Sequence, residues 1–385
     1  MPDKLPTQFY TTIDEFVLES GEIIFDATVA FIIKGRLDIL RSNVVVICHA
    51  LSGSADFEDW WSLLFSGNEK AALDPERFCI ICCNCLGSPY GSSSPVSSKP
   101  GDGTAFYGPS FPKTTIRDDV RIQKYVLDQL GVRSIHSVIG ASMGGMLALE
   151  WSLFGEDYVR SLVLIATTAR QGPWAIAWAE NQRATIKADA KYREGFYTDD
   201  PPVAGLGAAR MSAMLSYRTH KSFDKRFGRR RLLARSVEDV RPGDNVNPCT
   251  SMSLEGMSLS GHRSNKQPTF AVQSYLRYQA EKFNERFDTN CYIHLLDKID
   301  SHDIIRGRYE NLSDGDAMEA VLRQIQQPAL VVGIPTDGLY PLSEQLALAK
   351  GLPNATFYAL ESEDGHDGFL LEGKKLNCIL KPFFN

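Results

Sequence analysis

The stretch Ser137–Trp151, "SVIGASMGGMLALEW", sets Ser142 at the centre of Gly140-Ala141-Ser142-Met143-Gly144, with an apolar run before it and an amphipathic run after it. A strand that ends in a tight turn and opens directly into a helix is the setting of a nucleophile elbow. Small flanking residues are needed there because the turn is crowded, and its strain holds the hydroxyl out above the sheet. A bare G-x-S-x-G says little, since small residues are common in strand-to-helix turns. Its place between these two runs makes Ser142 the candidate nucleophile.

A serine hydroxyl is a poor nucleophile at neutral pH and needs a base, which in turn needs an orienting carboxylate. Triads built on such an elbow run Ser, then Asp or Glu, then His along the chain. Downstream, "PALVVGIPTDGLYP" reads as a strand ending in a loop that carries Asp337, and "ATFYALESEDGHDGFLLE" as a strand followed by a loop that carries His366. Taken singly, Asp337 is a turn aspartate and His366 a surface histidine. Their order and their place at strand ends point to a Ser142, Asp337, His366 triad. His136 lies inside a strand, His220, His262 and His294 have no identifiable acidic loop partner, and His302 in "DSHDIIRGR" is the one rival base. An oxyanion hole needs two backbone N–H groups, one of them from the residue after the nucleophile and the other from the loop after an early strand. Met143 supplies the first and Leu51, in "VVVICHALSGSAD", the second, with Ser52 beside it.

Around this centre the chain has a strand-and-helix rhythm. "NVVVICHAL", "RFCIICCNCL", "SIHSVIG", "SLVLIATT" and "PALVVGI" are short and almost continuously apolar, as strands buried on both faces of a parallel sheet are. Helical stretches lie between them, notably Ile116–Gln129 and Met143–Phe154. The fold class is α/β, a mostly parallel, doubly wound sheet. "EIIFDATVAFIIKGRL", Glu22–Leu37, alternates as an antiparallel hairpin would. After Thr168 the rhythm stops for roughly 160 residues, far beyond an ordinary connection. The expected organisation is therefore a core over 1–168 and 328–385, with a helical cap inserted at 169–327. Trp178–Ala190, Gly207–Tyr217 and Ala271–Arg286 read as cap helices, and the polar, breaker-rich 236–268 as an unstructured, flexible segment. "RFGRRRLLAR" reads as a solvated cap face rather than a nucleic-acid patch.

At 385 residues the chain suits one core with an insertion, and a net charge of −6 gives no general reason to bind nucleic acid or an anionic membrane. There is no run of about 18 apolar residues, and the first residues lack the layout of a secretory or transit signal. A soluble cytoplasmic protein acting on a small molecule is the default, with a homodimer an open option. The eight cysteines are then mostly thiols. "CIICCNC" resembles a metal site until it is placed on a strand, where Cys79, Cys83 and Cys85 point one way and Cys82 the other. No metal site is expected.

"CHALSGSADFEDWW", "NCLGSPYGSSSP", "YGPSFPKTTIRDDVRIQKYVLDQLGV", "IGASMGGMLALEW", "FAVQSYLRYQAEKFNERFDTNCYIHLLDKIDSHDIIRGR", "DGLYPLSEQ" and "DGHDGFLLE" together resemble the homoserine O-acetyltransferase family of α/β-hydrolase-fold acyltransferases. The likeness is greater to fungal members, which include serine O-acetyltransferases and the deacetylcephalosporin C acetyltransferase. It covers the chain apart from the N-terminus and 229–268. The resemblance implies an α/β-hydrolase fold and a ping-pong reaction, in which acetyl-CoA acetylates Ser142 and an alcohol carries the acetyl group away. No tightly bound cofactor is implied; acetyl-CoA is a co-substrate. It also implies that Arg210 and Tyr217, on a cap helix, and Asp367, after the histidine, bind an amino-acid acceptor. Residues 210 and 217 are about two helical turns apart and can share a face, an arginine suits a carboxylate and an aspartate an ammonium. Arg183 and Arg218 are further candidates. L-homoserine or L-serine is the expected acceptor, with a secondary-metabolite alcohol as alternative. An esterase using water remains open, because triad and oxyanion hole are the same in both.

Overall fold

The apolar runs form strands where their β-branched composition places them. The computed structural model describes residues 8–65, 71–99, 106–232 and 269–384. Its strands are β1 (Phe9–Val17), β2 (Ile23–Lys34), β3 (Val44–Cys48), β4 (Cys79–Cys83), β5 (Ile135–Ala141), β6 (Leu162–Ile165), a two-residue ribbon of β7 (Arg231–Leu232) and β8 (Thr269–Phe270), then β9 (Ala329–Gly333) and β10 (Ala355–Ala359). Eight of them make one sheet in the order β1-β2-β4-β3-β5-β6-β9-β10, parallel from β4 to β10. Every residue of β3, β4, β6 and β9 is buried. Alternate side chains enter opposite layers: Val46, Ile81, Val138 and Leu164 pack on one face, and Ile47, Ile80, Ile139 and Val163 on the other. Cys79, Cys83 and Cys85 join the first layer and Cys82 the second, with the period of two expected of a strand.

The helices are α1 (Phe57–Trp61), α2 (Ile116–Gln129), α3 (Met143–Ser152), α4 (Pro173–Lys187), α5 (Val203–Tyr217), α6 (His220–Phe227), α7 (Ala271–Asn284), α8 (Thr289–Asp300), α9 (Asp314–Gln324), α10 (Leu342–Gly351), α11 (Gly368–Leu371) and α12 (Gly373–Phe384). α2 has the range read from the sequence, because its start is written in a capping box. Thr115 Oγ1 accepts from Asp118 N at 3.2 Å, and Asp118 Oδ2 accepts from Thr115 N at 3.0 Å. α2 and α3 cover one face of the sheet, whereas α1 and α12 supply Phe57, Trp61, Leu376, Leu380 and Phe384 to the other.

The hairpin expected within Glu22–Leu37 is not there. Those residues form the single strand β2, which pairs antiparallel with β1. The turn falls earlier, at Leu18–Glu22, where Gly21 takes a φ of 88° and Leu18 N donates to Glu22 O at 2.8 Å. Asp26, at φ 50°, interrupts the pairing without shifting its register.

β6 and β9 lie side by side, Leu162 opposite Ala329, although α4 to α9 and the β7–β8 ribbon intervene. α4, α5 and α7 overlap the helices read from the sequence, and α6, α8 and α9 are additional. The segment 236–268 lies outside the described residues. Among those residues no helix is long and apolar enough to cross a membrane.

Candidate active site

The strand order reverses between β3 and β5, and in open α/β sheets ligands bind beyond the carboxyl ends of the strands at such a point. Ser142 follows β5 and Leu51 lies in the loop after β3. Ser142 has φ 56° and ψ −123°, a conformation that costs a non-glycine residue about 1–3 kcal/mol. The surroundings hold it there. Ser142 N donates to Ile165 O at 2.9 Å, and Ser142 O accepts from Gly145 N at 2.9 Å and from Thr167 Oγ1 at 2.8 Å. A Cβ on Gly140 would stand 2.0 Å from Gly144 O, and one on Gly144 would stand 2.0 Å from Cys48 O. Both glycines are thus dictated by the close approach of turn, helix and β3.

Asp337, after β9, and His366, after β10, meet through Oδ2 and Nδ1 at 2.7 Å, both buried. Asp337 Oδ1 accepts from Leu339 N at 2.8 Å and Tyr340 N at 3.0 Å, which fixes the carboxylate plane. An ionised carboxylate only accepts, so Nδ1 carries the proton and Nε2 is left as the base. Burial lowers the pKa of His366, but Asp337 and, less strongly, Asp367 together outweigh it and leave that pKa above the ordinary histidine value. Tyr217, Tyr340 and Phe369 surround the ring, with centroids 5.9, 5.3 and 5.5 Å away. Among the described residues Ser142 Oγ has no hydrogen-bond partner.

Among the described residues neither Leu51 N–H nor Met143 N–H is taken up by a backbone acceptor. The loop bearing Leu51 is held by His49, a residue the sequence reading passed over. Its Nε2 accepts from Cys85 N at 3.0 Å, so Nδ1 carries the hydrogen and donates to Ala50 O at 2.8 Å. Burial keeps His49 neutral, with its pKa lowered to about 4. The signal was available: His49 lies two residues before Leu51, the candidate oxyanion donor.

Of the acceptor-binding candidates, Arg210 and Tyr217 both lie on α5. The Arg210 guanidinium lies 4.8 Å from the Phe283 ring centre, and its buried Nε has no hydrogen-bond partner among the described residues. Burial raises the pKa of Asp367, against the pull of His366, Arg218 and Arg210. Arg218 is also 3.7 Å from Asp367 and 3.2 Å from Asp364. Arg183 forms ion pairs with Glu180, Asp297 and Asp300 at 2.8, 3.3 and 2.7 Å. A cavity of about 20 Å³ is bordered by Leu51, Tyr217, Leu339 and Tyr340 and by Trp178 and Leu296 of α4 and α8.

A profile of the alpha/beta hydrolase fold matches residues 43–373. The homoserine O-acetyltransferase FUB5 of Gibberella fujikuroi is 46% identical, over 100% of this chain and 89% of that protein. The chain belongs to the homoserine O-acetyltransferase family. The homoserine O-acetyltransferase of Saccharomyces cerevisiae is 43% identical over 96% of this chain and 85% of its own length. The crystal structure of the Staphylococcus aureus homoserine O-acetyltransferase superposes with a TM-score of 0.73 at 29% identity, covering 98% of this chain and 95% of that one.

His302, the rival base, is buried, and its Nε2 has no hydrogen-bond partner among the described residues. Burial lowers its pKa to about 4. In the unfolded chain it titrates near 6.5. Its folded pKa is thus depressed, so its contribution to stability is complete above about pH 6.5 and is lost as pH falls toward 4. That contribution is on the order of 3 kcal/mol. Urea unfolding should show this family member losing about that much more stability than His302→Gln between pH 7 and 4. A constant difference across that range would refute the assignment.

Proposed function

We propose that the protein is an acetyl-CoA-dependent O-acetyltransferase that passes an acetyl group through Ser142 to the hydroxyl of an amino acid, L-homoserine first and L-serine second. His366 Nε2 takes the Ser142 proton as Oγ attacks the thioester carbonyl. The carbonyl electron pair moves onto oxygen, where Leu51 and Met143 N–H receive it. The carbon–sulfur bond then breaks, and His366 returns the proton to the departing thiolate. In the second half-reaction His366 takes the acceptor's hydroxyl proton, the new ester bond forms, and Ser142 leaves with the proton. The scheme uses acetyl-CoA only as a co-substrate. We assign 169–327 the role of a cap that excludes water from the acyl-serine.

The unpartnered, buried Nε of Arg210 carries the acceptor assignment. An orphaned charged donor of this kind is stabilised by a carboxylate, and Asp367, beside His366, suits the ammonium of the same molecule. An acceptor without a carboxylate would leave Arg210 unpaired, at a cost. This favours an amino acid over a secondary-metabolite alcohol lacking one.

Thiol release from acetyl-CoA should be accelerated by L-homoserine. Arg210→Ala should lower kcat/KM for L-homoserine about 10²-fold or more, as expected for a lost charge-assisted contact, and leave the first burst of CoA unchanged. If L-homoserine does not accelerate release, or if the burst falls with turnover, the acceptor assignment fails.

A further inference from the structure

Leu51 N–H is the end of a hydrogen-bonded chain that starts on a cation. Arg286, just beyond α7, donates from Nη1 to Ser52 O at 3.0 Å. The N–H of that same peptide unit, on Gly53, donates to Ala50 O at 2.9 Å. The N–H of the Ala50 peptide unit is that of Leu51. A trans peptide is planar, so its N–H points opposite to its C=O. Holding Ser52 O therefore aims Gly53 N–H, and holding Ala50 O aims Leu51 N–H, with His49 Nδ1 as a second donor to Ala50 O at 2.8 Å.

The chain also has a direction in charge. Hydrogen bonds in series polarise one another, and here both peptide dipoles are aligned with a guanidinium behind them. Negative charge at the Leu51 end is thereby favoured. Arg286 is fixed by a second bond to Tyr90 Oη at 2.6 Å and lies 5.2 Å from the Phe283 ring centre. Among the described residues it makes no ion pair that would cancel its charge. Tyr90 is buried and packs edge-on against Phe287, 5.8 Å between centroids.

We propose that Arg286 is a positioning residue for acyl transfer, which orients and polarises Leu51 N–H through two peptide units. The proposal rests on the oxyanion-hole reading above. It links an arginine of the 169–327 interval to the chemistry of the core without contact with substrate.

The test uses the full chain, a p-nitrophenyl acetate burst and the corresponding thionoester, whose sulfur is a weak hydrogen-bond acceptor. Deleting one direct oxyanion donor costs about 10²- to 10³-fold; for a group acting behind the donor, Arg286→Ala should slow oxyester acylation by about 10- to 100-fold. Thionoester acylation should fall much less, and added guanidinium should restore part of the loss. Tyr90→Phe, which leaves Arg286 in place, should show a smaller loss with the same oxyester bias, and decides the matter if Arg286→Ala does not fold. Equal slowing of both esters, or no slowing, overturns the proposal. A Ser142→Ala protein that keeps its burst would instead overturn the reading on which it rests.

Discussion

Replacing Ser142 by alanine should lower kcat by about 10⁴- to 10⁶-fold, the usual loss when a triad member is removed. The fold should be unaffected, for reasons local to the turn. Ser142 Oγ has no hydrogen-bond partner among the described residues, so nothing is left unpaired. Alanine keeps the Cβ, hence the same strain at φ 56°, and the backbone bonds to Ile165 O, Gly145 N and Thr167 Oγ1 do not involve the side chain. Thermal unfolding should therefore match the parent, while acetylated protein disappears from mass spectra of enzyme mixed with acetyl-CoA. A folded variant that retains a tenth of the parent activity would place the nucleophile elsewhere.

Asp337→Asn should cost about 10⁴-fold in kcat, the size of effect known when a triad aspartate becomes an amide. The structure supplies the reason. Leu339 N and Tyr340 N both donate to Asp337 Oδ1, so an asparagine must put its carbonyl oxygen there. Its NH₂ then faces His366 Nδ1 and donates to it, which moves the ring hydrogen to Nε2. The nitrogen that must take the serine proton is then already protonated. Loss of the carboxylate also removes the main influence that raises the pKa of His366, leaving burial to lower it against the smaller opposing effect of Asp367. The residual activity should rise with pH through a lower apparent pKa than in the parent. A pH–rate profile with an unmoved acidic limb, or a loss of only a few-fold, would contradict this geometry.

The legible parts of this molecule were those whose cause is local. Ser142 was readable because a strand pattern ends and a helix pattern begins around it, and α2 because its capping box is written in consecutive residues. Asp337 and His366 could be chosen because they follow recognisable strands. The hairpin was misplaced because β2 is rich in apolar residues on both sides of a polar break at Asp26, and β1, largely exposed, offers little apolar contrast. Arg286 was not legible, since its contact with Ser52 spans 234 positions and neither residue sits in a pattern that names the other. Nor could spacing reveal that Arg183 is ion-paired with three carboxylates.

The adjacency of β6 and β9 bears on how such a protein can diversify. Their ladder joins Leu162 to Ala329, so the chain closes a loop of 167 residues, the difference of the two numbers. Closure entropy grows only logarithmically: about 4–5 kcal/mol for a loop of that length against about 2 for a twelve-residue crossover. The difference equals the burial of one or two aliphatic side chains. Helices in that interval can be lengthened, replaced or re-angled at little entropic penalty to the sheet, while strand register keeps Ser142, Asp337 and His366 at the ends of their strands. The interval can therefore vary in length and packing over a sheet that stays fixed.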